Sequence, residues 1–154
     1  MYQILLTLHS ITRWLVLVSL LFAIYRAYRG WLGNKAYTNI DNAARLSAVN
    51  IAHIQLVLGL WLYFISPVVS YFLHNFKTAV HERQIRFFGM EHITMMLVAI
   101  IFITIGSAKA KRKATGNEKF KVMAIWFSIG LFIIFMSIPW SFSPLTSRPL
   151  LRWF

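Results

Sequence analysis

The 154-residue chain contains no cysteine. Without thiolates it can form neither disulfides nor cysteine-ligated zinc sites or iron–sulfur clusters, and it cannot attach a c-type haem covalently. Neutral imidazole is then the strongest nitrogen ligand that the chain can offer to a metal or a haem, and five histidines supply it.

Charged residues are also scarce, and acidic ones most of all. The chain has four Asp and Glu against sixteen Lys and Arg, and only 13% of it is charged, whereas about a quarter is usual in soluble domains. Its hydrophobic fraction of 58% and mean hydropathy of +0.62 indicate a membrane protein. The net charge of +12 does not predict nucleic-acid binding, because the basic residues flank apolar runs, as in proteins that are oriented in a bilayer by charge.

Four apolar runs predict four transmembrane helices, since each is about as long as the roughly 20 residues that a bilayer core requires. The predicted spans are about 10–28, 46–65, 87–107 and 120–138. No basic residue precedes Arg13, so the first run is predicted to be a retained span rather than a cleaved signal. The fold class is therefore all-α, a single four-helix membrane bundle over 1–154 with short connectors, and the tail 141–154 is expected on the surface or on a partner.

The basic residues also predict an orientation. Ten of them flank the first and third connectors and five lie on the opposite side. The positive-inside rule then places those two connectors in the cytoplasm and both termini on the outer, periplasmic side of a bacterial inner membrane.

Two histidines lie at matched depth near the outer ends of two predicted spans. His9 enters the first helix and His92 the third. Two imidazoles on facing helices can bind the two faces of a b-type haem, with the porphyrin between the helices. His53 enters the second helix from the other side, without a histidine at its depth, and with Asn50 and Gln55 it is predicted to join a polar inter-helix network.

Arg13 supports the outer site, because it follows His9 by four residues and shares its helix face. A buried arginine needs an anion, and either a haem propionate or Glu91 would serve. Thr12 could support either arrangement, and Glu91 could instead orient an imidazole. Without haem, these groups and His92 would form a polar network that fixes helix packing.

Three stretches carry a family resemblance: LHSITRW, HIQLVLGLWLYF and EHITMMLVAIIFITIG. With them the chain resembles small four-span bacterial membrane proteins labelled cytochrome b and, more distantly, one half of haem A synthase. In the synthase, a helix with a histidine precedes one with Gln-x-x-Leu-Gly and one with a second histidine, as His9, Gln55 to Gly59 and His92 do here. The synthase is duplicated and carries its arginine directly after the first histidine, so the resemblance implies a haem-binding bundle rather than haem A synthesis.

The predicted function is one-electron transfer through haem b, with a quinone pool or a partner redox subunit as the other reactant. No catalytic triad, nucleotide-binding loop or carboxylate cluster is visible, so an enzymatic activity of its own is not predicted. Two alternatives stay open. The chain could be a non-redox accessory or assembly subunit of a larger membrane complex, or a proton-coupled carrier, as a homo-oligomer, with Arg13, Glu91 and His53 as titrating groups.

Overall fold

A computed structural model of the chain describes residues 1–140, and the predicted tail 141–154 lies outside the described residues. Every regular element within 1–140 is helical. The elements are α1 (Tyr2–Leu32), α2 (Asn39–Ile65), α3 (Pro67–His74), α4 (Phe76–Ala79), α5 (Arg83–Arg86), a π-helix (Phe87–Glu91), α6 (His92–Arg112) and α7 (Gly116–Ser137).

Four helical stretches within 1–140 are long and apolar enough to cross a membrane: Tyr2–Leu32, Asn39–Ile65, Arg83–Arg112 and Gly116–Ser137. The predicted all-helical fold with four candidate membrane-spanning helices is therefore confirmed. The helices differ in length from the predicted spans, because hydropathy marks only the apolar part of a helix and not its polar ends. With 31 residues, α1 is about 46 Å long against a hydrocarbon core of about 30 Å.

The spanning helices form a four-membered bundle in which α7 packs on α1 and α6, and α2 packs on α1 and α6. Its centre is built from fully buried apolar side chains, among them Leu20, Ile103 and Phe127. The outside is apolar as well, and Phe64 and Phe132 are 81% and 66% exposed. A soluble protein rarely exposes large contiguous apolar surfaces, so this outer surface suits contact with lipid.

The helix ends follow local sequence signals. Thr38 and Asp41 form a capping box at the start of α2, and Thr115 and Glu118 form another at the start of α7. In each box two backbone N–H groups that lack a helical partner are satisfied by side chains. Pro67 takes the first position of α3, so α2 ends at Ile65 and the chain turns there. These helix ends fix the positions along the bundle of the side chains that point into it.

Close packing of α1 on α7 depends on Gly30, where an added Cβ would overlap the ring of Phe120. We expect Gly30→Leu to lower the free energy of unfolding by about 1–3 kcal/mol, because the ring is buried and cannot move aside freely. Ala43→Leu adds similar volume on an exposed position of α2 and should change little. Thermal unfolding in detergent measures the stability of both variants. Equal losses of stability in Gly30→Leu and Ala43→Leu would contradict the role of close packing at Gly30.

Candidate functional site

A cavity of about 200 Å³ opens between α1, α2, α3 and α6, with the last residues of α7 closing one side. Most of its lining is aliphatic or aromatic, with Leu56, Met96 and Ile134 as examples. A few polar side chains converge on it. These are Tyr2, His9, Ser10, Arg13, Gln55, Tyr63, Ser66 and His92. An apolar cavity with a few convergent polar groups is the usual form of a ligand or cofactor site.

His9 from α1 and His92 from α6 meet in this cavity. Their ring centroids are 6.4 Å apart and the ring planes are inclined by 74°. Both side chains line the cavity, so the two residues that the sequence singled out by depth are brought together across the bundle.

The imidazole of His92 is fixed by the end of α7. Its Nδ1 lies 3.0 Å from the backbone carbonyl oxygen of Ser137. A carbonyl oxygen can only accept a hydrogen bond, so Nδ1 of the neutral ring carries the proton and Nε2 keeps a lone pair. A histidine that ligates a metal characteristically donates its other N–H to a carbonyl or carboxylate in this way.

The π-helix Phe87–Glu91 ends at the residue before His92. π-Helical turns are rare and recur at functional sites. Here the hydroxyl of Tyr63 donates to the carbonyl of Gly89 over 2.9 Å, and an added Cβ on Gly89 would overlap Phe72. The apolar pattern of this part of the sequence does not predict the irregular turn.

His9 is held from α2. The side-chain amide of Gln55 donates to the backbone carbonyl of His9 over 2.9 Å, and a Cβ on Gly59 would lie 3.1 Å from the Cε1 of His9. The Nδ1 of His9 and the Oε1 of Gln55 are buried, and neither has a hydrogen-bond partner in the described part of the chain. Such buried polar atoms are uncommon in folded proteins and call for an explanation.

Arg13 also lines the cavity, whereas Glu91 and Thr12 do not. Arg13 lines the cavity, with its guanidinium carbon 5.6 Å from the ring centroid of Trp14. The carboxylate of Glu91 accepts from Nε of Arg86 over 2.6 Å, so it is engaged at the helix end, and the Ser137 carbonyl rather than Glu91 orients an imidazole. The hydroxyl of Thr12 donates within its own helix to Leu8.

His53 lies outside the cavity and bridges α2 to α6. Its Nε2 is 2.9 Å from Oγ1 of Thr104, and the hydroxyl of Thr104 donates to the carbonyl of Ile100. Because that hydroxyl has a single hydrogen, Nε2 of His53 is the donor in this pair. Its Nε2 is thus occupied in an inter-helix hydrogen bond.

The His9–His92 pair can be compared with what a haem requires. An imidazole nitrogen binds a metal at about 2 Å and its ring centroid lies about 1 Å further out, so two imidazoles that held one iron from opposite sides would have centroids about 6 Å apart. The centroids of His9 and His92 are 6.4 Å apart, which is close to this distance. No group of three or more His, Asp and Glu residues that could hold a bare metal ion occurs within 1–140. A porphyrin supplies four ligands itself and needs only two from the chain.

Comparisons with models of known families, with curated proteins and with solved structures find no match to this chain. The chemistry of the cavity residues is therefore the guide to its function.

Proposed function

We propose that this chain is a multi-pass protein of the bacterial inner membrane that binds one haem b between His9 and His92 and transfers single electrons. The supporting observation is the pair of imidazoles from two helices, 6.4 Å apart in a mainly apolar cavity. The resemblance of its three motifs to small cytochrome b-like membrane proteins points the same way.

The residues of the chain have separate tasks in this proposal. When bound, a haem supplies an iron that gains or loses one electron. The Ser137 carbonyl accepts the Nδ1 hydrogen of His92, so the lone pair of Nε2 is free to bind iron. The same hydrogen bond makes the imidazole a stronger electron-pair donor to a metal. The apolar lining restricts water and lowers the local dielectric, which tunes a haem potential. Arg13, which lines the cavity, would balance the charge of a haem propionate.

Partners and orientation complete the proposal. The ten-to-five division of basic residues in the sequence supports a cytoplasmic location for the connectors 33–38 and 113–115 and a periplasmic location for the amino terminus. The histidine pair then lies near the outer surface. The electron donor or acceptor is a quinone or a partner redox subunit at that surface.

Absorption spectra of the protein purified in mild detergent test the proposal. A protein from haem-replete cells should show a Soret band and, after dithionite reduction, a sharp b-type α-band at about one haem per chain. A featureless visible spectrum from those cells would rule the proposal out, and a non-redox accessory subunit would be the better description.

Gly59 tests whether the space beside His9 is needed. We expect Gly59→Leu to reduce bound haem about tenfold or more, because its side chain would occupy the space against the His9 ring, where even a Cβ would be 3.1 Å from Cε1. Val57→Leu adds a methylene to α2 at a position that is 61% exposed, and it should keep full haem content. The haem-to-protein ratio of each purified variant measures the effect. A full haem content in Gly59→Leu would contradict the prediction.

A further inference from the structure

A second cavity, of about 180 Å³, lies at the other end of α1 from His9, where α1 meets the start of α2. Its charged lining consists of Arg26, Arg29, Lys35 and Asp41, and Phe120 lies beneath them. The space is well above the roughly 30 Å³ that one water occupies. Three cations thus share one cavity with a single carboxylate.

The carboxylate of Asp41 already has partners within the protein. Asp41 is almost fully buried, and its Oδ1 lies 2.7 Å from the guanidinium of Arg26. Its Oδ2 accepts from the backbone N–H and the hydroxyl of Thr38 in the capping box. Both oxygens of Asp41 therefore have partners. The Asp41 carboxylate does not compensate the positive charges of Arg29 and Lys35.

No other acidic side chain can supply the balance. The chain has only four carboxylate side chains. The other three are engaged elsewhere: Glu82 with Tyr71, Glu91 with Arg86, and Glu118 with Lys113 and Thr115. Within residues 1–140, the ion pairs are those of Arg26, Arg86 and Lys113. Arg29 and Lys35 form none in this described part of the chain.

A further buried cation adds to the excess. Arg45 follows Asp41 by one helical turn on α2 and is 4% exposed. Its guanidinium donates to Ser107 and Asn42, which are neutral, and its Nε has no hydrogen-bond partner in the described residues. Positive charge at this end of the bundle therefore exceeds negative charge both in the cavity and behind it.

We propose that this cavity binds a phosphate group, carried either by the headgroup of an anionic phospholipid or by a free phosphate. Arginine presents several N–H donors in a planar fork that matches phosphate oxygens, and lysine adds a compact charge. The cavity lies beside the last turns of α1, where Tyr28 and Trp31 provide the aromatic side chains typical of the headgroup region. Basic cavities between helices at a membrane surface commonly bind anionic headgroups.

The test uses the full chain, delipidated in a neutral detergent, with native mass spectrometry as the readout. Three additions are made in separate samples: detergent micelles with phosphatidylglycerol, detergent micelles with phosphatidylcholine, and inorganic phosphate without lipid. The double variant Arg29→Gln/Lys35→Gln removes two cavity cations that are exposed and do not support the core. The matched control, Arg112→Gln/Lys111→Gln, removes the same charges from the end of α6, outside the cavity lining.

We expect one phosphatidylglycerol per wild-type chain, little phosphatidylcholine, and about thirtyfold weaker phosphatidylglycerol binding in the cavity variant. The control variant should bind as wild type does. Saturable binding of inorganic phosphate that is lost in the cavity variant would also support the site, with free phosphate as its ligand. Equal losses in both variants would show a general surface-charge effect, and no anion bound to the wild type would refute the site. These results do not depend on whether the chain binds haem.

Discussion

Replacement of His92 by alanine is expected to abolish the b-type absorption of the purified protein. In the proposal each histidine supplies one ligand to the haem iron, so a cavity left with the imidazole of His9 alone would bind haem much more weakly. His9→Ala should have the same effect from the other helix. The Soret and reduced α-bands, normalised to protein, measure the result, and the loss should be nearly complete in each variant.

His53→Ala is the matched control for this prediction. It removes an imidazole from the same bundle, but one that hydrogen-bonds to Thr104 and lies outside the cavity lining. Its spectrum should match that of the wild type. An unchanged Soret band in His92→Ala would contradict axial ligation by that residue, whereas equal losses in all three variants would indicate unfolding. Imidazole added to His92→Ala should partly restore the band, because the cavity left by the side chain can admit it.

Asp41→Asn is expected to lower the free energy of unfolding by about 3 kcal/mol, through the loss of a charge that compensates Arg26 in a buried position. The Asp41 carboxylate is 2.7 Å from the Arg26 guanidinium and also accepts from both the N–H and the hydroxyl of Thr38. An amide keeps the volume but removes the charge and one acceptor. Thermal or denaturant unfolding in a fixed detergent gives the difference.

Glu118→Gln is the control, because it alters the equivalent capping box of α7 at the surface. Its carboxylate is 3.8 Å from Lys113, and both side chains are well exposed, so solvent screens the pair and the loss should be much smaller. If the two variants lost equal stability, capping alone would explain both. The buried ion pair at Asp41 would then contribute little.

Several features of the fold could be predicted from the sequence, because each rests on a local or strongly periodic signal. The four apolar runs predicted the four helices that are long and apolar enough to span a membrane, and the predicted second span ends at Ile65, as α2 does. Depth along the helices singled out His9 and His92, and the structure places them together. Depth could be predicted because helix rise is fixed at about 1.5 Å per residue.

The details of the candidate site could not be predicted, since they depend on which backbone atoms meet across helices. Nothing in the sequence indicated that the Ser137 carbonyl would hold His92. The sequence offers Glu91 as an anion for Arg13. In the structure this carboxylate lies 2.6 Å from the guanidinium of Arg86, five residues earlier and across the π-helix Phe87–Glu91. A π-turn changes the angular position of every following residue, so faces computed with a regular helical period fail there.

The acceptor for His92 exists because α7 ends where it does. Ser137 is the last residue of α7, and had the helix continued, its carbonyl would have been taken by an amide four residues later. Pro139 follows almost at once and cannot extend a helix. The hydrogen bond that orients a proposed ligand on one helix is thus set by where another helix ends, and a one-residue insertion late in α7 would move the Ser137 carbonyl away from His92.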